Sequence, residues 1–398
     1  RDLPARAMAL LRERPDIEVV QLLHPSVAAW HAALPGAHAV LCWLERMDAA
    51  ALAIATELRV VSRMGVGYDT VDVPACTARG IPVMVVNGAN DLSVAEHAVM
   101  LALAVARRAV EIDSGVKAGG WWTPGGMRMV DLAGRSALMV GYGRIGVRVA
   151  RYLAAFHMRV SVLDPAFAPH RIAADGFVAA RDLHAALAEA DLVTLHCPLT
   201  PATRWLMDEA AFAALKPGAI LVNTARGPVV KESALVEALR SGRLRGAGLD
   251  VLEVEPAGVG NPLLTLPNVV LSPHSAASTE EGMERMAVAA VRNILDVLDG
   301  RGDVAMMVNG GGGNTDLLTR NCTTHQQQIT KIYSELKSMN FSKRLLIAGN
   351  ITKLRAFIPI IKSFSGDRLR ENFGYSAKAP RKSSSSDSTW EEIIAIIR

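Results

Sequence analysis

A glycine-rich run, Gly141-Tyr142-Gly143-Arg144-Ile145-Gly146, and three charged residues further along, Arg226, Glu255 and His274, are the parts of this chain best suited to chemistry. The run follows the apolar stretch SALMV and opens a segment of helical period over 144–156. In that setting the first glycine makes a tight turn, the second lets backbone approach a pyrophosphate, and the third lets helix and strand pack closely. The unpaired N–H groups and dipole at the helix start then face the anion. The next apolar stretch, RVSVLD, ends in Asp164, eighteen residues after Gly146. A carboxylate there accepts hydrogen bonds from both ribose hydroxyls and repels a 2′-phosphate. The pattern predicts a dinucleotide site that prefers NAD to NADP.

Arg226, Glu255 and His274 each follow a predicted strand: AILVNT, GAGLDV and NVVLS. Taken singly they suit ordinary roles, as a strand-end cap, a turn residue before proline and a loop histidine. Together, at successive strand ends of a chain with a dinucleotide loop, they suit hydride transfer on a 2-keto or 2-hydroxy acid. Oxidising a secondary alcohol leaves a proton for a base, and imidazole titrates in the useful range. A carboxylate beside it favours imidazolium and orients the ring. A guanidinium forks onto a substrate carboxylate and polarises the carbonyl under reduction. Nicotinamide carries the hydride.

The elements that must position these residues alternate between strand and helix over 1–310. EVVQLL, AVLCWL, RVVSRM and PVMVV read as strands of a first series, with helical segments such as 48–58 between them. SVAEHAVMLALAVARRAVEI reads as one long helix capped by Ser93, with Glu96 completing a capping box. A second series then runs SALMVG, RVSVLD, LVTLHC, AILVNT, GAGLDV and NVVLSP. Near-continuous apolar strands alternating with helices predict parallel sheet covered on both faces. The helix over 279–298 is expected to return to the first series. The expected architecture is therefore α/β: a discontinuous domain of 1–93 and 279–308, a Rossmann domain of 94–278 inserted in it, and a cleft between them.

The chain has 398 residues and a formal net charge of +4, which gives no reason to expect nucleic acid or an anionic membrane surface as partner. Its four cysteines are far apart and match neither a zinc site nor a disulfide scaffold. The longest clean apolar run, 98–106, falls short of the ~18 residues a membrane span needs. The N-terminus lacks signal-peptide architecture, so a cytoplasmic protein is expected. Three lysines precede residue 311 and seven follow residue 314. The glycine run within 309–314 reads as a linker and 315–398 as an atypical tail, with amphipathic helices expected over 329–339 and 390–397.

Over 1–308 the chain resembles the D-isomer-specific 2-hydroxyacid dehydrogenases, the family of phosphoglycerate dehydrogenase, hydroxypyruvate and glyoxylate reductases and D-lactate dehydrogenase. The resemblance rests on Gly65-Val-Gly-Tyr-Asp69 with Asp72, Asn90-Asp-Leu-Ser-Val-Ala-Glu-His97, the 141–146 loop, His196-Cys-Pro-Leu-Thr200, 223–227, 250–256 and Pro273-His-Ser-Ala276. It implies two Rossmann-like domains and catalytic roles for Arg226, Glu255 and His274. It implies NAD contacts at Arg144, Ile145, Asp164, Cys197, Thr224, Arg226 and Asp250, the last to the carboxamide, with His196, Ala225 and His274 at the same site. Val66 and Gly67 would offer backbone N–H groups to the substrate carboxylate, and no metal is implied. Relatives are dimers joined mainly through the cofactor domain, which would use helix 93–112 and the GGWWTPGG loop.

Departures from the pattern stand at Val86-Asn87, where relatives carry Thr-Pro, and at Cys42-Trp-Leu-Glu-Arg46, which lacks the Arg-Ser/Thr of phosphoglycerate-type members. Arg46 or Arg63 could meet a substrate phosphate instead. The first strand of the substrate domain is missing, which reads as a truncated N-terminus. Glu255 stands where formate-type members have Gln, which argues against a formate or phosphite dehydrogenase. The remaining alternatives are an NAD-binding corepressor-like scaffold with a serine-rich tail and a non-working gene product.

Overall fold

The computed structural model describes residues 2–23, 25–121 and 128–310. The linker from 311 on, the tail with both its expected helices, and most of the GGWWTPGG loop lie outside the described residues. Two compact units are present: 2–86 with 287–310, and 87–286.

The first unit holds three parallel strands in sequential order, β1 (Ala39–Cys42), β2 (Val60–Arg63) and β3 (Val83–Met84). EVVQLL forms no strand. Val19, Val20 and Leu23 are exposed and among the described residues no strand pairs with the segment, so its β-branched residues have no described sheet to join. The later part of helix Glu280–Leu298 lies on this sheet, with Ser62 Oγ donating to Ala290 O at 3.0 Å and Asn293 Nδ2 to Val85 O at 3.0 Å. Met307 then bridges antiparallel to Met84, and Asn309, expected to begin the linker, is bonded to Val83 N and Ile81 O.

The second unit contains a seven-stranded, all-parallel sheet. Its strands are β4 (Ser136–Val140), β5 (Arg159–Leu163), β6 (Val178–Ala179), β7 (Leu192–Leu195), β8 (Ala219–Asn223), β9 (Leu244–Leu249) and β10 (Val269–Leu271). Their order is β10-β9-β8-β7-β4-β5-β6. Period-2 alternation sends Leu138 and Val140 into one core cluster and Ala137 and Met139 into another, so both faces of β4 are buried. The strand order reverses between β4 and β7, the switch point where an open α/β sheet collects ligands beyond its C-terminal edge.

The long helix differs from its sequence reading. It spans Asp91–Arg107, begins before Ser93, and is followed by a separate helix, Ala109–Lys117. Arg108 at φ 51° takes the left-handed conformation, which an α-helix cannot continue. Ser93 is therefore inside the helix, its Oγ 2.9 Å from Thr279 Oγ1, and the residue at the cap position, Asn90, makes no side-chain cap bond among the described residues.

Candidate active site

The glycine turn joins β4 to helix Arg144–Ala155. Gly141 has φ +98°, and a Cβ there would lie 2.6 Å from Cys197 N, so conformation and space both require glycine. A Cβ on Gly146 would lie 2.2 Å from Gly141 O. At Gly143 a Cβ would meet no atom of the described residues within 4 Å. Protein packing thus accounts for the first and third glycines, and the second faces open space where a ligand can approach. Tyr142 N donates to Asp164 Oδ2 at 2.7 Å and Ala166 N to Oδ1 at 2.8 Å. The carboxylate holds the turn and retains lone pairs for further donors. Ile145 is in the first turn of the helix, and the Arg144 guanidinium lies near Gly88 and Asp91. Burial raises the Asp91 carboxyl above its usual range, with Arg144 and Arg148 pulling the other way.

His196 and Cys197 follow β7 against this turn. Burial pushes the His196 imidazole down to about 3, so it is neutral at pH 7, with Nε2 2.8 Å from Thr194 Oγ1. Burial also pushes the Cys197 thiol up to about 11, which keeps it protonated.

Two of the three strand-end residues meet directly, and the third, Arg226, acts on Glu255 through its charge. His274 Nδ1 lies 2.7 Å from Glu255 Oε2, and Leu252 N donates to Glu255 Oε1 at 2.9 Å. Burial alone would raise Glu255, but the hydrogen bond and charge of His274, the Leu252 N–H and the Arg226 charge outweigh it and hold the carboxyl below its usual range. Glu255 is therefore a carboxylate at neutral pH, and the shared proton belongs to Nδ1. Arg226 sits between β8 and a 3-10 turn, Gly227–Val229. Asn223 shapes this loop, donating from Nδ2 to Arg226 O and accepting Ala225 N, while one Arg226 N–H goes to Ala225 O.

His274 has φ 51°, an uncommon conformation for a side-chain-bearing residue. Asp250, 2% exposed, holds it there. Its Oδ1 accepts Ser272 Oγ at 2.6 Å and Ser275 N at 2.8 Å, its Oδ2 accepts Ala276 N at 3.0 Å, and its own carbonyl accepts His274 N. His97 on helix Asp91–Arg107 completes this network, with Nε2 2.8 Å from Ser272 Oγ. Sequence reasoning placed His97 in a motif but gave it no task; its signal was a helix face seven residues past Asn90.

Val66 and Gly67 lie in the first unit, after β2. The buried Arg63 guanidinium shapes this loop, donating to Gly67 O and Cys42 O. Arg46 is exposed, 3.9 Å from Asp48. Among the described residues no group of His, Cys, Asp and Glu could hold a metal ion, and no helix is long and apolar enough to cross a membrane.

The second unit suits a dinucleotide on its own evidence. Thr224 Oγ1, just past β8, is buried without a hydrogen-bond partner among the described residues, an uncompensated cost that a ligand atom would remove. Gly143 leaves the space a pyrophosphate needs, and Asp250 Oδ2, with one donor seated, has room for a second.

Comparison with known proteins agrees. Residues 99–276 match the family model described as D-isomer specific 2-hydroxyacid dehydrogenase, NAD binding domain. The glyoxylate reductase of Thermofilum pendens is 38% identical over 306 residues, 75% of this chain and 90% of that protein. The D-3-phosphoglycerate dehydrogenase of Archaeoglobus fulgidus is 40% identical over 255 residues, 64% of this chain and 48% of that one. The chain thus spans about half the length of the phosphoglycerate dehydrogenases it matches. A solved structure from Thermus thermophilus superposes with TM-score 0.71 at 41% identity, covering 77% of this chain and 98% of that one.

Two expectations follow from this geometry. Replacing Thr224 with Val removes an unpaired hydroxyl, so unfolding in urea should be unchanged or slightly harder. NADH binding, followed by fluorescence, should weaken roughly two- to tenfold, the worth of one hydrogen bond; an unchanged Kd would show that the hydroxyl meets no cofactor atom. His196 is depressed from 6.5 to about 3 on folding. Between those values the unfolded chain binds a proton that the folded chain refuses, so stability falls as pH drops, by at most about 1.4 kcal/mol per pH unit. His196→Asn should flatten that part of the urea-derived stability curve, and an unaltered slope would mean that His196 protonates in place.

Proposed function

The chain belongs to the D-isomer-specific 2-hydroxyacid dehydrogenase family, and from that premise we propose that it is an NAD-dependent oxidoreductase interconverting a D-2-hydroxy acid and its 2-keto acid. The observation that carries the reading is the 2.7 Å contact of His274 Nδ1 with Glu255, a carboxylate that also feels the Arg226 charge.

The bound nicotinamide supplies or accepts the hydride. Glu255 holds Nδ1–H and leaves His274 Nε2, which has no partner among the described residues, to give a proton to the carbonyl oxygen in reduction or take it from the hydroxyl in oxidation. Arg226 binds the substrate carboxylate and stabilises charge developing on the oxygen. The backbone of 141–146 would hold the pyrophosphate and Asp164 the ribose hydroxyls, with Asp250 the residue for the carboxamide and Thr224 a further contact to the cofactor.

The physiological unit is proposed to be a homodimer through the cofactor domain, which fits the exposed apolar side chains Met100, Val110, Val116 and Trp121 along its two consecutive helices and the start of the following loop. A solution mass of one chain in sedimentation equilibrium would remove that assignment.

The test is NADH oxidation with glyoxylate, hydroxypyruvate, pyruvate and longer 2-keto acids, with NAD and 3-phosphoglycerate run in reverse. Turnover is expected on at least one. His274→Ala should lower kcat roughly a hundredfold or more while NADH still binds. Turnover equal to the parent would remove His274 from the mechanism, and no turnover on any acid would overturn the reading.

A further inference from the structure

The loop that carries Glu255 and the loop that carries Arg226 touch at their backbones. A Cβ on Gly227 would lie 1.8 Å from Leu252 O and 2.5 Å from Glu253 N, so the peptide after Arg226 lies directly on the Leu252–Glu253 peptide. That second peptide and the one before it are both held. The Glu253 N–H donates to Glu232 Oε2 at 3.0 Å, and the preceding N–H, of Leu252, donates to Glu255.

Glu232 opens helix Glu232–Arg240, whose cap residue, Lys231, makes no side-chain cap bond. Glu253 supplies that bond from the other segment, its Oε2 accepting Glu232 N at 3.1 Å. The two glutamates thus form a capping box split between segments twenty-one residues apart, each carboxylate receiving the other's backbone N–H. Their outer oxygens are also engaged: Trp205 Nε1 donates to Glu253 Oε1 at 2.6 Å, and Asn261 Nδ2 donates to Glu232 Oε1. Trp205 itself is held at φ 54°, its N–H on Pro228 O in the turn after Arg226. Arg204 and Lys231 lie over its ring at 4.9 and 5.6 Å, placing positive charge beside the paired carboxylates.

We propose that Glu232 and Glu253 are positioning residues for the reaction: their crossed hydrogen bonds clamp the Glu255 loop onto the Arg226 loop and so fix the carboxylate that orients His274. The proposal rests on the catalytic reading of Arg226, Glu255 and His274. A clamp of this kind acts on chemistry more than on cofactor affinity, because misplacing a catalytic group by about 1 Å can cost a hundredfold in rate.

The test uses the full chain, with NADH and glyoxylate, or whichever 2-keto acid of the panel is reduced. Glu253→Ala should lower kcat roughly tenfold or more with the NADH Kd within about twofold of the parent. Glu253→Gln, milder to folding and keeping one acceptor, should recover part of that loss. A variant that folds and keeps the parent kcat, with only its unfolding midpoint lowered, would make the pair a plain helix cap and overturn the proposal. Parallel loss of NADH binding would overturn it too. His274→Ala is run beside these variants: parent-like turnover there defeats the catalytic reading itself, whereas a dead His274→Ala with an unaffected Glu253→Ala defeats only the clamp.

Discussion

The contact between His274 Nδ1 and Glu255 Oε2 is the interaction to which most of the described site is directed. Both partners are more than a third exposed, so water and salt screen their attraction and the pair by itself contributes little to folding. Its value lies in orientation. An imidazole whose Nδ1–H is committed to a carboxylate presents Nε2 in one tautomer and one direction. The surrounding structure supplies the constraint that solvent does not: the nearly buried Asp250 fastens the 272–276 loop from one side, and the backbone after Arg226 presses on the Glu255 loop from the other.

The sheet explains why these groups meet. Parallel strands deliver their C-terminal ends to one edge, so β8, β9 and β10 bring Arg226, Glu255 and His274 to neighbouring loops although 48 residues separate the first from the last. The glycine turn after β4 lies at the order reversal on that same edge. Different kinds of force divide the work. Apolar burial on both faces fixes the strands, buried hydrogen bonds set the loops, and the exposed charges remain available for chemistry.

Much of this was legible in the sequence because it is local. A strand, a glycine turn and a helix in succession announce a phosphate loop, and a charged residue directly after an apolar run marks a strand end. The network around the site was not legible. The sequence assigns no role to Glu232, Glu253, Trp205 or Asn261, and only folding shows that Glu253 caps a helix it does not belong to. The capping box read at Ser93 failed for the converse reason, since Ser93 Oγ is bound by Thr279 and Arg285, far along the chain. The expected strand over EVVQLL had propensity without a pairing partner, and the helix break at Arg108 is a backbone conformation with no composition signal.

The measurement that bears most directly on this account is nitrogen-15 and proton NMR of the full chain with labelled histidine, with His274 assigned through His274→Gln. The account requires a strongly deshielded Nδ1–H proton on His274 near neutral pH, lost when Glu255 becomes Gln. A His274 ring that carries its neutral-form proton on Nε2, or whose shifts ignore the Glu255 substitution, would contradict it.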